Sequence, residues 1–225
     1  PTRRSSDLLS SAEASAVLNG ANAAAIGPGD GSGWEVIQFR DAVLVAEDLW
    51  EIGHRLRGQA GTDADMPPVW PEGSLFVLLD ASVGQVDLPA SARGLARHWR
   101  VGPARRAFDD SSYTEKVLAF PGIGLRPLRP VHLRARPVGG DLEIGWIRRS
   151  RIDSDSWEGT DVPLGEASEL YLLRIVDDGG LRREETLSAP AFTYTAAMKS
   201  ADGTQTPYWI EVAQVSERFG PGPFA

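Results

Sequence analysis

The side chains best suited to chemistry sit close together in Asp153-Ser-Asp-Ser-Trp-Glu-Gly159, with Asp161 two positions on. Asp-x-Asp spacing offers carboxylate oxygens to a hard cation such as Ca²⁺, and Trp157 offers a flat apolar surface to a sugar ring. The calcium-loop pattern fails after Gly159, and a solvated loop whose Trp tucks back onto its domain explains the same residues. Asp153, Asp155, Trp157, Glu158 and Asp161 are therefore a candidate binding surface and not a metal site. Glu158 and Asp161 are in principle paired carboxylates for glycoside hydrolysis, but the sequence shows neither a cleft nor groups to orient them.

Other routes to catalysis find less support. The three histidines, His54, His98 and His132, each fall in a different strand candidate, and the chain has no cysteine to join them in a metal set. No G-x-S-x-G elbow occurs. Gly27-Pro-Gly-Asp-Gly-Ser-Gly33 lacks the Gly-Lys-Ser/Thr ending of a phosphate loop and precedes a strand, so it reads as a turn. The expectation is a chain that is not an enzyme and takes no cofactor.

The elements that must position these residues are strands. Tyr208-Trp-Ile-Glu-Val-Ala-Gln-Val-Ser216 alternates with Tyr208, Ile210, Val212 and Gln214 on one face, and Leu142, Ile144 and Trp146 alternate likewise upstream. Alternation of this kind marks strands with one buried side, and two such strands imply opposed sheets. Helical periodicity is weak, apart from a short helix over Ser11 to Leu18 capped by Ser10 or Ser11. The fold class is therefore all-β: a β-rich N-terminal domain, then a β-sandwich. The expected divisions are a short helix and lead-in segment over 1–30, a β-rich domain over 31–120, a Pro-rich extended linker over 121–130, and the sandwich over 131–225.

Within the first domain, Trp34 to Phe39 and Ala42 to Val45 read as a hairpin turning at Arg40-Asp41, and Leu49 to Leu56 as a third strand. Leu75-Phe-Val-Leu-Leu79, apolar at every position, reads as a strand covered on both faces or as the centre of the first domain. Leu95 to Val101 and Glu115 to Phe120 complete the set. In the sandwich, strands are expected over 131–136, 142–147, 171–176, 181–187, 191–194 and from Tyr208, with a hairpin turn at Asp177-Asp-Gly-Gly180. The candidate loop at 153–161 then lies at the same end of the sandwich as the turn after Gln214. The last strand has little chain left to close its outer side, so Ile210, Val212, Gln214, Val215 and Phe219 are an expected assembly edge, covered by a neighbouring chain or a very short terminal segment.

Composition narrows the partners. A net charge of -8 with scattered Arg pairs argues against nucleic acid, whose phosphates need a clustered positive field. No apolar run approaches the length of a membrane span. The chain opens on Pro1, with methionines only at 66 and 198, and reads as a piece of a longer or processed polypeptide.

Leu142-x-Ile-x-Trp146, Tyr171-x-Leu-x-Ile175 and Tyr208-x-Ile-x-Val212 together resemble a fibronectin type III module over residues 130–225. Two departures stand out: a longer Met198 to Pro207 loop replaces the usual Leu-x-Pro turn before the Tyr, and the final strand is nearly absent. The whole chain resembles something more specific. Asn19-Gly-Ala-Asn-Ala-Ala-Ala-Ile-Gly27, Trp34-Glu-Val-Ile-Gln-Phe-Arg-Asp41, Arg55-Leu-Arg-Gly-Gln-Ala-Gly-Thr62, Phe120-x-Gly-x-Gly-Leu-Arg-Pro127 with Tyr113, and Trp146-Ile-Arg-Arg-Ser-Arg151 with Asp155-Ser-Trp157 look like the C-terminal part of the tail-tip host-specificity, or baseplate megatron, proteins of gene transfer agents and long-tailed phages. That resemblance implies a structural protein of a phage-like tail tip, made in the bacterial cytoplasm. It further implies a trimer about the tail axis, contacts with other tail-tip and hub subunits, and adhesion to the host envelope, a surface glycan included. The alternative is a carbohydrate-binding accessory region anchoring an upstream cell-wall-active domain.

Overall fold

The computed structural model describes residues 9–30, 33–152 and 161–225. The chain is all-β and divides into two compact units, Pro1–Ile123 and Gly124–Ala225. The division falls inside the Pro-rich stretch. Its second half does not span free space: Pro127 and Pro130 are buried against unit 2.

Unit 1 carries a short helix α1 (Ala14–Leu18), then β1 (Ala23–Gly27), β2 (Glu35–Ala46), β3 (Leu49–Gln59) and β4 (Leu75–Leu78), antiparallel in the order β3-β2-β1-β4. A separate hairpin pairs β5 (Arg97–Val101) with β6 (Thr114–Leu118). Alternation on β2 sends Ile37 and Phe39 inward with Ala24 of β1, and Ile26, Ile52, Phe76 and Leu78 pack around them.

Three expectations for this unit are corrected. The helix is not capped by serine: its N-cap is Glu13, without a side-chain bond. Ser11 is used elsewhere, its hydroxyl accepting from the Ala42 N–H at 3.0 Å and donating to the Ala42 carbonyl at 3.3 Å. β2 does not turn at Arg40-Asp41 but runs on to Ala46 and reverses at Glu47-Asp48, where Asp48 is left-handed (φ 61). The polar pair stays inside the strand because each member has a partner there. Arg40 Nε donates to Asp41 Oδ1 at 2.8 Å, and the His54 ring, across the ladder, meets Asp41 Oδ2. Finally, β4 is an edge strand, half covered, with Leu75 and Val77 exposed and Phe76 and Leu78 turned to the core. Its only ladder partner among the described residues is β1.

Unit 2 is a two-sheet sandwich. β7 (Val131–Val138), β8 (Asp141–Ile147) and β11 (Ala191–Tyr194) form one sheet in the order β11-β8-β7. β9 (Tyr171–Asp177), β10 (Gly180–Leu187), β12 (Tyr208–Ser216) and β13 (Gly220–Pro221) form the other, in the order β10-β9-β12-β13. The chain crosses from β8 to β9 and back from β10 to β11, which is the fibronectin type III arrangement. Every second residue faces inward: Leu142, Ile144 and Trp146 of β8 meet Tyr171, Leu173 and Ile175 of β9 and Val212 of β12. Trp146 stands edge-on to Tyr171, ring centroids 5.1 Å apart. Full burial of such side chains contributes about 1.5–3 kcal/mol each, so this core is the stable centre of unit 2.

The segment expected as a loop over Met198 to Pro207 holds a helix, α2 (Ala196–Asp202). Thr195 Oγ1 accepts from the Met198 N–H at 3.2 Å at its start, and left-handed Gly203 stops it. Ala, Met and Lys favour helix, and a Thr cap with a Gly stop completes the signal.

Candidate interaction surfaces

The outer edge of β12 is where the assembly surface was expected. Its inner edge is fully paired to β9 from Tyr208 to Gln214. Alternate residues therefore turn their backbone groups outward, and the chain's own end answers those nearest Ser216. β13 pairs with Val215 and Ser216, the Gly222 N–H donates to the Gln214 carbonyl at 2.9 Å, and Val212 and Ala225 exchange bonds at 3.3 and 2.9 Å. The side chains of Val212 and Gln214 are buried in the sandwich, and Val215 is half covered. Of the expected edge residues, Val212, Gln214 and Val215 are thus occupied by the terminal segment. Ile210 keeps an outward backbone without a ladder partner among the described residues, beside the half-exposed indole of Trp209. Phe219 lies at the turn instead, between the Arg151 and Arg218 guanidinium groups at 5.5 and 5.1 Å from its ring.

Of the candidate loop, Asp153, Asp155, Trp157 and Glu158 lie outside the described residues. Asp161 is described, and it is engaged. Arg148 Nη2 donates to its Oδ2 at 2.9 Å while the same guanidinium bonds the Val162 and Pro163 carbonyls at 2.6 and 3.1 Å. Asp161 thus helps fasten the return of the loop. Nearby Arg151 pairs with Glu166 at 2.9 Å, and these two line a shallow groove of ≈ 510 Å³ with Gly165, Ser216, Arg218 and Phe219. The described residues on either side of that loop, Arg151 and Gly165 to Ala167, meet the turn after β12 at one end of the sandwich.

The histidines hold local structural positions. His54 and His132 are both left-handed, φ 48 and 54, a conformation in which His is over-represented among residues other than glycine. His132 sits where the β7–β8 register shifts, so it forms a bulge. His98 Nδ1 lies 2.7 Å from Glu115 across the β5–β6 hairpin. Among the described residues no three His, Cys, Asp or Glu side chains gather as a metal site. Among the same residues no helix is long and apolar enough to cross a membrane.

One constellation was not anticipated. Glu35 is fully buried on β2. Its Oε1 accepts from Arg57 Nε at 2.9 Å and the Gly58 N–H at 3.0 Å, and its Oε2 from Arg57 Nη2 at 2.7 Å and Trp70 Nε1 at 2.6 Å. Arg57 also bonds the Pro67 and Pro68 carbonyls at 2.8 and 3.3 Å. Burial pushes the Glu35 carboxyl up, but the hydrogen bonds from Arg57, Trp70 and Gly58 and the Arg57 charge outweigh it and hold the group below its ordinary value. With each carboxylate oxygen accepting two hydrogen bonds, this is a latch that ties the 60–71 loop to the sheet. The available signal was parity: Glu35 shares the inward face with Ile37 and Phe39, where a carboxylate must find partners.

The architecture defines the class: an all-β chain of a β-rich unit and a fibronectin type III-like sandwich, presenting edges and shallow grooves. Residues 2–77 match the family model described as Rcc01698-like, C-terminal, named for a gene associated with a Rhodobacter gene transfer agent. Among solved structures, domains d3-d4 of the rat CD45 extracellular region are similar, with a TM-score of 0.31 and 11% identity over 71% of this chain and 74% of that one. No curated protein matches.

Proposed function

We propose that this chain is a structural, non-enzymatic component of a phage-like tail tip, in a virion or gene transfer agent, acting in particle assembly and host-envelope contact. The observation that carries this is the inequality of the two units. Unit 2 buries Trp146, Tyr171, Tyr194, Leu173 and Ile175 in one core, whereas the buried cluster of unit 1 is Ala24, Ile37 and Phe39. Unit 1 meanwhile leaves Val43, Leu44, Val45, Leu49, Val69 and Leu75 half or more exposed. Apolar surface on that scale marks a protein whose neighbours complete it. The family match over residues 2–77 supports placing those neighbours in a gene transfer agent or phage tail.

The test is a reconstruction of intact particles with this segment located by an antibody fragment or tag. Density at the tail tip in several copies about the axis is expected. A chain found free of particles overturns the proposal, as does turnover of cell-wall or capsule substrate by the chain alone. Specific retention on a glycan array, with no place in the particle, would replace it with the carbohydrate-binding role.

A further inference from the structure

The β2–β3 hairpin outruns the sheet that supports it. β1 pairs with β2 only over Glu35 to Gln38, and the lead-in segment adds a bond from the Ala12 N–H to the Arg40 carbonyl at 2.8 Å and the Ser11 contacts with Ala42. Past Ala42 two strands remain, joined by Glu47-Asp48. In this finger Val43, Leu44, Val45 and Leu49 are 55, 53, 52 and 57% exposed. Neighbouring strand residues face opposite sides, so the finger is apolar on both faces, and a bare two-stranded ribbon is marginal in water. A flat partner would cover one face. A slot covers both.

Unit 1 itself carries an apolar groove at the base of the same hairpin. A groove of ≈ 380 Å³ is lined by Ile26, Ile37, Pro68, Val69 and Trp70, with the guanidinium of Arg55 on its wall. Arg57, also on the wall, is committed to Glu35, while Arg55 is exposed and meets no carboxylate among the described residues. The finger has the complementary layout: apolar flanks, with Glu47 at the tip and Glu51 across from Val43. It cannot fill its own groove, because Ile37 and Val45 lie on one extended strand about 26 Å apart.

We infer that the Val43–Leu49 finger of one copy docks in the Ile26/Ile37/Val69/Trp70 groove of a second copy, with Glu47 against Arg55. The contact joins two different patches, so it builds a ring or an open chain, not a face-to-face pair. The acidic tip argues against a lipid destination, since Glu47 would lead the finger into an anionic surface. The inference deepens the assembly role proposed above, resting on it only in treating unit 1 as a partnered unit.

Sedimentation of the 225-residue chain tests it. Association that grows with concentration is expected for the native sequence, weakened roughly tenfold or more by Leu44→Asp in the finger and likewise by Arg55→Glu or Val69→Asp in the groove. Circular dichroism and melting should stay native for each. An equimolar mixture of Leu44→Asp with Val69→Asp should form a dimer and stop, since one intact finger and one intact groove remain. Glu47→Arg combined with Arg55→Glu in one chain should restore association. A monomeric native chain at about 100 μM overturns the inference. So does a mixture that stays monomeric, a Val69→Asp chain that associates alone as the native one does, which would indicate finger-to-finger contact, or finger-dependent flotation with phosphatidylglycerol vesicles. None of these outcomes moves the chain from the tail tip, which the particle reconstruction decides separately.

Discussion

Glu35 shows what one side chain decides in unit 1. Removing its charge with Glu35→Gln leaves Arg57 facing Trp70 and two proline carbonyls without its counterion, at a cost of about 3 kcal/mol, measurable by urea unfolding followed at the tryptophans. Its carboxyl is held below its ordinary value near 4.5. A depressed folded value means that its contribution is complete above that pH and fades as pH falls further. Asp41 acts in the same direction, brought to about 2 first by the Arg40 hydrogen bond and then by His54. The native chain should therefore lose stability steadily on acidification below about pH 4.5, and Glu35→Gln should flatten that slope. A slope unchanged by the substitution would show that the latch is not the source. At this scale the sequence was partly readable: Trp146, Tyr171 and Tyr208 declared themselves by alternation, whereas a buried glutamate looks in sequence like any exposed one until its strand parity is taken seriously.

Elements were legible where their residues agreed with one another. β8, β9, β10 and β12 combine alternation with clear turn residues, and they appear where expected. The failures came where composition and position disagree. Arg40-Asp41 has turn-like polarity, yet cross-strand pairing with His54 absorbs it. β4 is all apolar, yet lies at an edge. The helix α2 was hidden by the expectation of a turn before Tyr208. Its Thr195 cap makes a direct check: Thr195→Ala should cost about 1 kcal/mol and leave the sandwich intact, seen as a lowered melting temperature with unchanged near-ultraviolet dichroism. An unaltered melting temperature would mean that α2 adds nothing to unit 2.

For the whole molecule, the division at Ile123 and Gly124 predicts separable behaviour. Residues 124–225 expressed alone should give a dispersed amide spectrum and one cooperative unfolding transition, because the Trp146–Tyr171 core draws only on unit 2. A collapsed or undispersed spectrum would show that the sandwich needs unit 1. Length and alternation were enough to anticipate two β units. They put the boundary in the proline stretch but could not say which of its prolines pack on unit 2, because that depends on contacts distant in sequence, such as Gly222, where a Cβ would come within 2.4 Å of the Pro127 carbonyl oxygen.

The terminal segment that pairs with β12 has one more consequence, and it is measurable in deuterium. Amides of Glu211 and Ala213 point to β9 and should exchange only as the sandwich opens. The Val212 amide is held by the Ala225 carbonyl alone, so its exchange reports how often the last residues lift away. The Ile210 amide should exchange quickly throughout. Side by side on one strand, these protons form a built-in clock for the 222–225 segment, and any neighbour that clamps or displaces that segment will change the Val212 rate before anything else.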